Sequence, residues 1–273
     1  MAEALAGLTG TGGNGAILLL FLDTRSGDQS EAIAGAYEAA GPEILIAGGA
    51  AGGSDPAQIL GDQASRDAVI AVALEPPGPV GIGTAHGCRT QSVPSTVTRS
   101  DGRLLLELDG RPAAAVYQEK IGLDGLSLPD PAFEMLAVTH PLAQPELHGE
   151  PRIRHVLRRE GEGGLLCATH IPVNAAVEFT HEAPDDIIAA SSEAVGRALA
   201  PLGSRPVRAA LLFDCAGRKR AVAASLQEEV FGLIDSFSPP PPPLAGLFTH
   251  GEIARIRGAK GDLNHAVVVV AFG

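Results

Sequence analysis

Two stretches of this chain carry the same pattern, and that pattern sets the fold class. Residues 16–23 form a continuous apolar run, short enough to be a strand covered on both faces. A segment of helical composition follows to Ala40, with Ser26 or Asp28 placed to cap it and Gly41-Pro42 to stop it. Residues 43–47 are a second apolar run leading into Gly48-Gly49-Ala50-Ala51-Gly52-Gly53. Strand, helix, strand predicts a parallel pair, because parallel neighbours need a crossover between them. The series continues into a third run at 68–74. Near the C-terminus the order recurs: a strand at 208–214, a helix, a strand at 244–249, a small polar loop, and a strand at 266–272. An internal duplication would produce this echo, and so would two α/β units built by the same rules.

Hairpins interrupt the α/β pattern. Residues 68–74, 80–85, 95–99 and 104–108 read as four short strands, and Asp101-Gly102 is a strong hairpin turn between the last two. Pro112 stands at the first turn of a helix expected to reach Ile121. The stretch 122–131 is the expected domain boundary. Beyond it, 133–139, 152–158, 165–170 and 175–181 read as strands, with the glycines of 160–164 turning the middle pair into a hairpin. Pro184-Asp185-Asp186 opens a helix ending near Pro201, its acids where the helix dipole favours them. Residues 221–237 are amphipathic, and the proline run 239–243 reads as a stiff spacer delivering the next strand rather than as a ligand for an SH3-like module. The expected fold is α/β, in two domains with mixed sheets and flanking helices, one over 1–121 and one over 131–273. Met1–Gly15, rich in Ala, Gly and Thr, reads as a loose lead-in or the stub of a helix.

Composition narrows the function. The 273 residues are 45% hydrophobic and 19% charged, which fits a globular chain with room for two cores. A formal net charge of −12 repels phosphate backbones and anionic lipid heads, so nucleic acid and membrane are not expected partners. Cys88, Cys167 and Cys215 are too few and too odd in number for a disulfide framework, and the N-terminus has no basic, apolar leader; a cytoplasmic location is expected.

Three polar clusters follow apolar runs: His86-Gly87-Cys88-Arg89, Asp214-Cys215-Ala216-Gly217-Arg218, and Thr249-His250-Gly251-Glu252 with Asn264-His265 beyond. Ligands in open α/β sheets gather at the C-terminal ends of strands, where these clusters lie. Arg89 and Arg218 offer a fork for a carboxylate or other anion. Glu252 offers a partner for an ammonium group, and His250 alternates with it around Gly251. Cys215 would serve as a nucleophile only if a neighbour such as His250 lowered its pKa. No Cys-x-x-Cys or His-x-x-x-His pair with a glutamate occurs, so no metal site is expected. Gly48, Ala50 and Gly53 only approximate G-x-G-x-x-G, and backbone turning explains them better than a cofactor does.

The motifs Leu211-Leu212-Phe213-Asp214-Cys215-Ala216-Gly217-Arg218, Leu244-Ala245-Gly246-Leu247-Phe248-Thr249-His250-Gly251-Glu252-Ile253 and Asn264-His265 resemble the C-terminal domain of the FIST family. His86-Gly87-Cys88-Arg89, Thr96-Val97-Thr98-Arg99 and Leu108-Asp109-Gly110-Arg111-Pro112-Ala113 resemble the end of its N-terminal domain. The resemblance implies a bacterial small-ligand sensory module for signal transduction, with amino acids as proposed ligands. It implies a shortened N-terminal domain, since relatives carry a further α/β stretch before Ala16. The signal would leave through a separate protein or a homo-oligomer, because no output domain follows Gly273. The expected ligand-binding residues are His86, Cys88, Arg89, Cys215, Arg218, His250, Glu252 and Asn264, lining a pocket between the domains. Some relatives bind haem and sense nitric oxide; on that reading His86 or His250 would ligate the iron. An enzyme using Cys215 or Glu252, and a scaffold completed by another chain, are the other readings.

Overall fold

The computed structural model describes residues 16–25, 29–126, 128–147, 149–255 and 261–273. The expected lead-in over 1–15 and the caps Ser26 and Asp28 lie outside them. The chain gathers into two units that interleave in sequence. The first holds the described residues up to His86 together with Ile188–Lys219 and Ala224–Gly273; the second holds Gly87–Ile187 and Arg220–Ala223.

The elements of the first unit, in chain order, are strand β1 (Ile17–Asp23), helix α1 (Gln29–Ala40), and strands β2 (Leu45–Ala51), β3 (Gln58–Leu60), β4 (Gln63–Ser65), β5 (Ile70–Leu74) and β6 (Val80–Ala85). They continue with the larger part of helix α2 (Pro184–Leu199), strand β7 (Ala209–Cys215), the larger part of helix α3 (Ala216–Val222), and helix α4 (Leu226–Asp235). Strands β8 (Leu244–Thr249), β9 (Glu252–Arg255), β10 (Asp262–Leu263) and β11 (Val267–Phe272) complete it. One sheet has the order β10-β9-β2-β1-β5 and a second has the order β8-β7-β11-β6.

The echo in the sequence is an echo in topology. β1 pairs with β2 in parallel, Ile17 opposite Leu45 through Asp23 opposite Ala51, and with β5 antiparallel on its other side. β7 pairs with β8 in parallel, Ala210 opposite Leu244 through Cys215 opposite Thr249, and with β11 antiparallel on its other side. Each central strand therefore has one parallel and one antiparallel neighbour, and the sheets are mixed as expected.

Alternation along these strands builds four layers. Ile17, Leu19, Phe21, Phe213, Val268 and Val270 fill the space between the two sheets. The other face of β1, Leu18, Leu20 and Leu22, packs on Ile33 and Ala36 of α1. The other face of the second sheet, Ala210, Val267 and Val269, packs on Ala194 and Ala198 of α2 and Leu233 of α4. Each such leucine, fully buried, contributes about 1.5–3 kcal/mol. The α2 contact is close because β6 presents glycines to it: a Cβ on Gly83 would lie 1.9 Å from the carbonyl oxygen of Ala194.

The second unit is largely an antiparallel sheet, with Ala176–His181, Ser95–Asp101, Leu104–Leu108 and Gly164–Cys167 at its centre. The hairpins expected at Asp101-Gly102 and over 160–164 are present. Helix Ala113–Lys120 follows Pro112, and its Tyr117 packs with Phe133 and Phe179 in the core. Residues 133–139, expected as a strand, are helical, within Asp130–Thr139. Their buried residues Phe133, Ala137 and Val138 fall on one helical face, and Pro131 in the first turn is preset for a helix. The segment 122–129 thus lies between two helices of this unit. Residues 221–237, expected as one amphipathic stretch, hold the end of α3, a short 3-10 turn and α4. The proline run leads into β8, Pro243 accepting a hydrogen bond from the backbone of Ala210. Gly48 and Gly49, part of the expected turning loop, are strand residues of β2.

Candidate functional site

The C-terminal ends of β7 and β8 carry a buried polar cluster. Asp214 ends the apolar run of β7, and Arg218 follows four residues later, in the first turns of α3, so the two meet on one side of the helix. Arg218 is fully buried. Its Nε donates to Asp214 Oδ1 at 2.9 Å, Nη1 to the carbonyl of His86 at 2.9 Å, and Nη2 to Ser191 Oγ and Glu229 Oε1, each at 2.6 Å. One guanidinium thus ties together β7, α2, α4 and the end of β6. Burial raises the pKa of Asp214 while Arg218 pulls it back. Arg218, expected as an anion hook, spends these donors on the protein itself.

A second group surrounds Glu252, the first residue of β9, which sits opposite Gly49 in the antiparallel β9–β2 pair. Glu252 is fully buried. Oε1 lies 2.8 Å from Thr249 Oγ1, and Oε2 accepts from the backbone N–H of Ala266 at 3.3 Å. Burial pushes its pKa up to about 8, against the pull of those hydrogen bonds. At neutral pH it is therefore mostly the neutral acid. Its own O–H can donate to Thr249 Oγ1, leaving the threonine proton for the carbonyl of Asp214 at 3.3 Å. Thr249 fits because Gly49 has no side chain: a Cβ there would lie 2.4 Å from the threonine methyl.

Cys215 is buried, and its Sγ accepts from the N–H of Gly217 at 3.3 Å. Burial, and then the nearby Glu252, push its thiol well above the ordinary value, so the group is a neutral thiol and a poor nucleophile. Asn264 is buried and donates through Nδ2 to the carbonyl of Leu263 at 2.8 Å. His250 is exposed; its backbone N–H donates to Ala50 at 2.8 Å, and its ring lies over Gly52. The structure thus brings Arg218 to the backbone of His86, and Cys215 to Glu252. Cys88 and Arg89 belong to the second unit. There Cys88 Sγ donates to Glu182 Oε1 at 2.9 Å, and the exposed Arg89 pairs with Asp186, lowering the pKa of that carboxyl.

A feature the sequence analysis missed lies elsewhere in the first unit. β3 and β4 form a two-stranded hairpin that joins neither large sheet. Leu60 pairs with Gln63, so Gly61-Asp62 is a two-residue turn, and that dipeptide was the available signal. Beneath the hairpin is a cavity of about 240 Å³ whose walls include Phe21 of β1, Ile70 of β5, Leu247 of β8 and Gln58, Ile59 and Leu60. Its described lining contains no ionisable side chain and none of the eight expected site residues. It also contains no His, Cys, Met or Tyr, so this cavity does not fit a haem. Ile59 is 75% exposed and Leu60 60% exposed, so two large apolar side chains stand unburied at this hairpin.

Comparison with known proteins gives the family. The FIST N domain model matches residues 1–111, and the FIST C domain model matches residues 113–255. An uncharacterized protein of Mycobacterium bovis is 33% identical over 190 residues, covering 64% of this chain and 45% of the relative. An uncharacterized protein of Mycobacterium tuberculosis is 33% identical over 188 residues, covering 64% of this chain and 46% of the relative. The chain therefore spans less than half the length of these relatives. Among the described residues no helix is long and apolar enough to cross a membrane. With both domain models matched in order along it, the chain belongs to the FIST family.

Proposed function

We propose that this chain is a small-ligand-sensing module of signal transduction, and that its ligand enters the cavity under the β3–β4 hairpin. The observation that carries this reading is the pairing of that cavity with Ile59 and Leu60, left exposed on a hairpin that no large sheet supports. An isolated two-stranded hairpin is marginally stable in water. Three local ties hold this one: Gln58 Nε2 donates to Ala68, Arg66 pairs with Asp55 at 2.8 Å, and the N–H of Asp67 donates to Asp23 at 2.9 Å. A ligand that covered the remaining exposed area of Ile59 and Leu60 would add about 2–4 kcal/mol. That is on the order of a hundredfold shift toward the ordered hairpin. A separate protein, or a second copy of this chain, would read the ordered hairpin in the cytoplasm. An acidic surface with net charge −12 makes nucleic acid an unsuitable reader.

The test is a thermal-shift screen of small metabolites followed by amide hydrogen exchange on each hit. Binding should slow exchange in residues 58–65 more than in the strands of the large sheets. Hits that stabilise the protein but leave the hairpin amides unchanged would defeat the proposal.

A further inference from the structure

One edge of the second sheet is open. Among the described residues β8 pairs in parallel with β7 and with no other strand. The N–H of Ala210 donates to the carbonyl of Pro243, which fixes the phase of that ladder. Only alternate residues of a strand turn their backbone groups to one neighbour, so Ala245 and Leu247 bond to β7. The N–H and C=O groups of Leu244, Gly246 and Phe248 point the other way, to the open edge. Residues 239–243 are all proline and supply no N–H, and past Thr249 the chain leaves to form β9. The open edge is therefore the window 244–248, room for one short strand.

The two faces of this window differ in chemistry. Leu247 lies on the face toward the first sheet, where it walls the cavity together with Phe21, Ile70 and the exposed Ile59 and Leu60. Leu244 lies on the face toward the helices, packed with Ala210 and Leu233. Phe248 shares that second face by alternation. There the ammonium of Lys219, on α3, sits 4.5 Å from the centre of the Phe248 ring. Lys219 is exposed, and among the described residues no carboxylate pairs with it. The chain as a whole carries −12, so a cation at this uncharged, apolar edge reverses the local sign. It attracts an acidic segment, whereas a second copy would bring its own Lys219 and a further −12.

Resting on the reading that the signal passes to a separate protein, we propose that this partner docks by adding an extended segment antiparallel to β8. The segment places apolar side chains toward Leu247 and the cavity, and carboxylates on the other face toward Lys219. Antiparallel is the orientation of β9 on β2, the strand that fills the corresponding edge of the first sheet. In that pairing the residues opposite Leu244, Gly246 and Phe248 exchange both backbone bonds with them and lie on the Lys219 face. The acidic residues of the segment are thus the ones whose own amides bond to β8.

The probe is a fluorescein-labelled heptapeptide alternating valine and aspartate, titrated with the whole chain and read by anisotropy. The valine–lysine counterpart should bind about tenfold more weakly or worse. N-methylation of the aspartate amides should weaken binding by about tenfold or more, and methylation of the valine amides should leave it unchanged. Lys219→Glu, an exposed change off the strand, should reverse the preference between the two peptides. No binding at millimolar peptide, or equal binding of the acidic and basic peptides, would overturn the proposal. Equal binding of the two methylated peptides would overturn strand addition, and a loss confined to the valine-methylated one would overturn the antiparallel register. A dimer of the chain alone, seen by sedimentation and dissolved by Phe248→Glu, would put a second copy on the edge and overturn the acidic partner. The sensing reading fails by a separate result, small-metabolite hits that leave the hairpin amides unprotected.

Discussion

Glu252 makes a stability prediction with a definite sign. Its carboxyl titrates near 4.5 in the unfolded chain and is pushed up to about 8 in the fold. A raised value means that the folded state holds the proton more tightly. The contribution is fully present below pH 4.5 and is lost as the pH climbs through 8. Integrating between those two values gives a loss of about 2.5 kcal/mol between pH 5 and pH 7 from this residue alone. Glu252→Gln removes the titration and keeps the shape: the amide can donate to Thr249 Oγ1 while its carbonyl accepts from Ala266. The assay is urea unfolding of wild type and Glu252→Gln at pH 5, 6, 7 and 8. The difference between the two proteins isolates this group, because other carboxyls titrate in both. The variant should gain on wild type by about 2.5 kcal/mol from pH 5 to pH 7. A difference that stays flat would mean that Glu252 has an ordinary pKa, and one of opposite sign would mean that the fold stabilises its carboxylate. Either result would refute the argument from burial.

Two further predictions test packing and reactivity. Gly83→Ala places a Cβ 1.9 Å from the carbonyl of Ala194 and should cost about 3 kcal/mol, whereas Gly196→Ala, with nothing within 4 Å, should stabilise α2 by about 0.5–1 kcal/mol; thermal melts of the two variants should move in opposite directions. Alkylation of the native protein, read by peptide mass spectrometry, should label the half-buried Cys88 first and reach Cys215 and Cys167 only in denaturant; Cys167 is buried, its thiol pushed up to about 12. Labelling of Cys215 at the rate of Cys88 would revive it as a nucleophile.

The fold was legible where local pattern and tertiary role agree. The apolar runs of β1 and β2 are buried strands because they have small or apolar side chains for both faces, whereas the equally apolar run of β8 is a strand left largely exposed at a sheet edge. The turns at Asp101-Gly102 and 160–164 were legible because few backbone conformations suit those residues. Residues 133–139 were misread because a short apolar run fits a strand or a helix equally well, and only the packing of Phe133 and Ala137 against Tyr117 decides it. The polar clusters were found by their place after apolar runs, but their roles were hidden. Arg218 reads as a ligand hook until Glu229 and Ser191, distant in sequence, are seen to hold it. The cavity under the β3–β4 hairpin gave no signal at all, because its walls come from β1, β5, β8 and the hairpin, segments far apart in the sequence.

The location of that cavity follows from where the internal echo breaks down. After β8 the chain takes two residues to leave the second sheet and lays β9 against β2, closing that edge of the first sheet. The corresponding step after β2 would lay a strand against β8. The chain instead forms the β3–β4 hairpin, which pairs only with itself, and β8 remains an edge strand with Leu247 and Phe248 partly exposed. The space that a covering strand would fill is bounded by Leu247 on one side and by the hairpin on the other. A long, exposed, apolar edge is a liability that proteins normally cover. Its retention beside a hairpin that joins neither large sheet, at the point where one half of the unit departs from the other, is what supports the proposal that a ligand acts here.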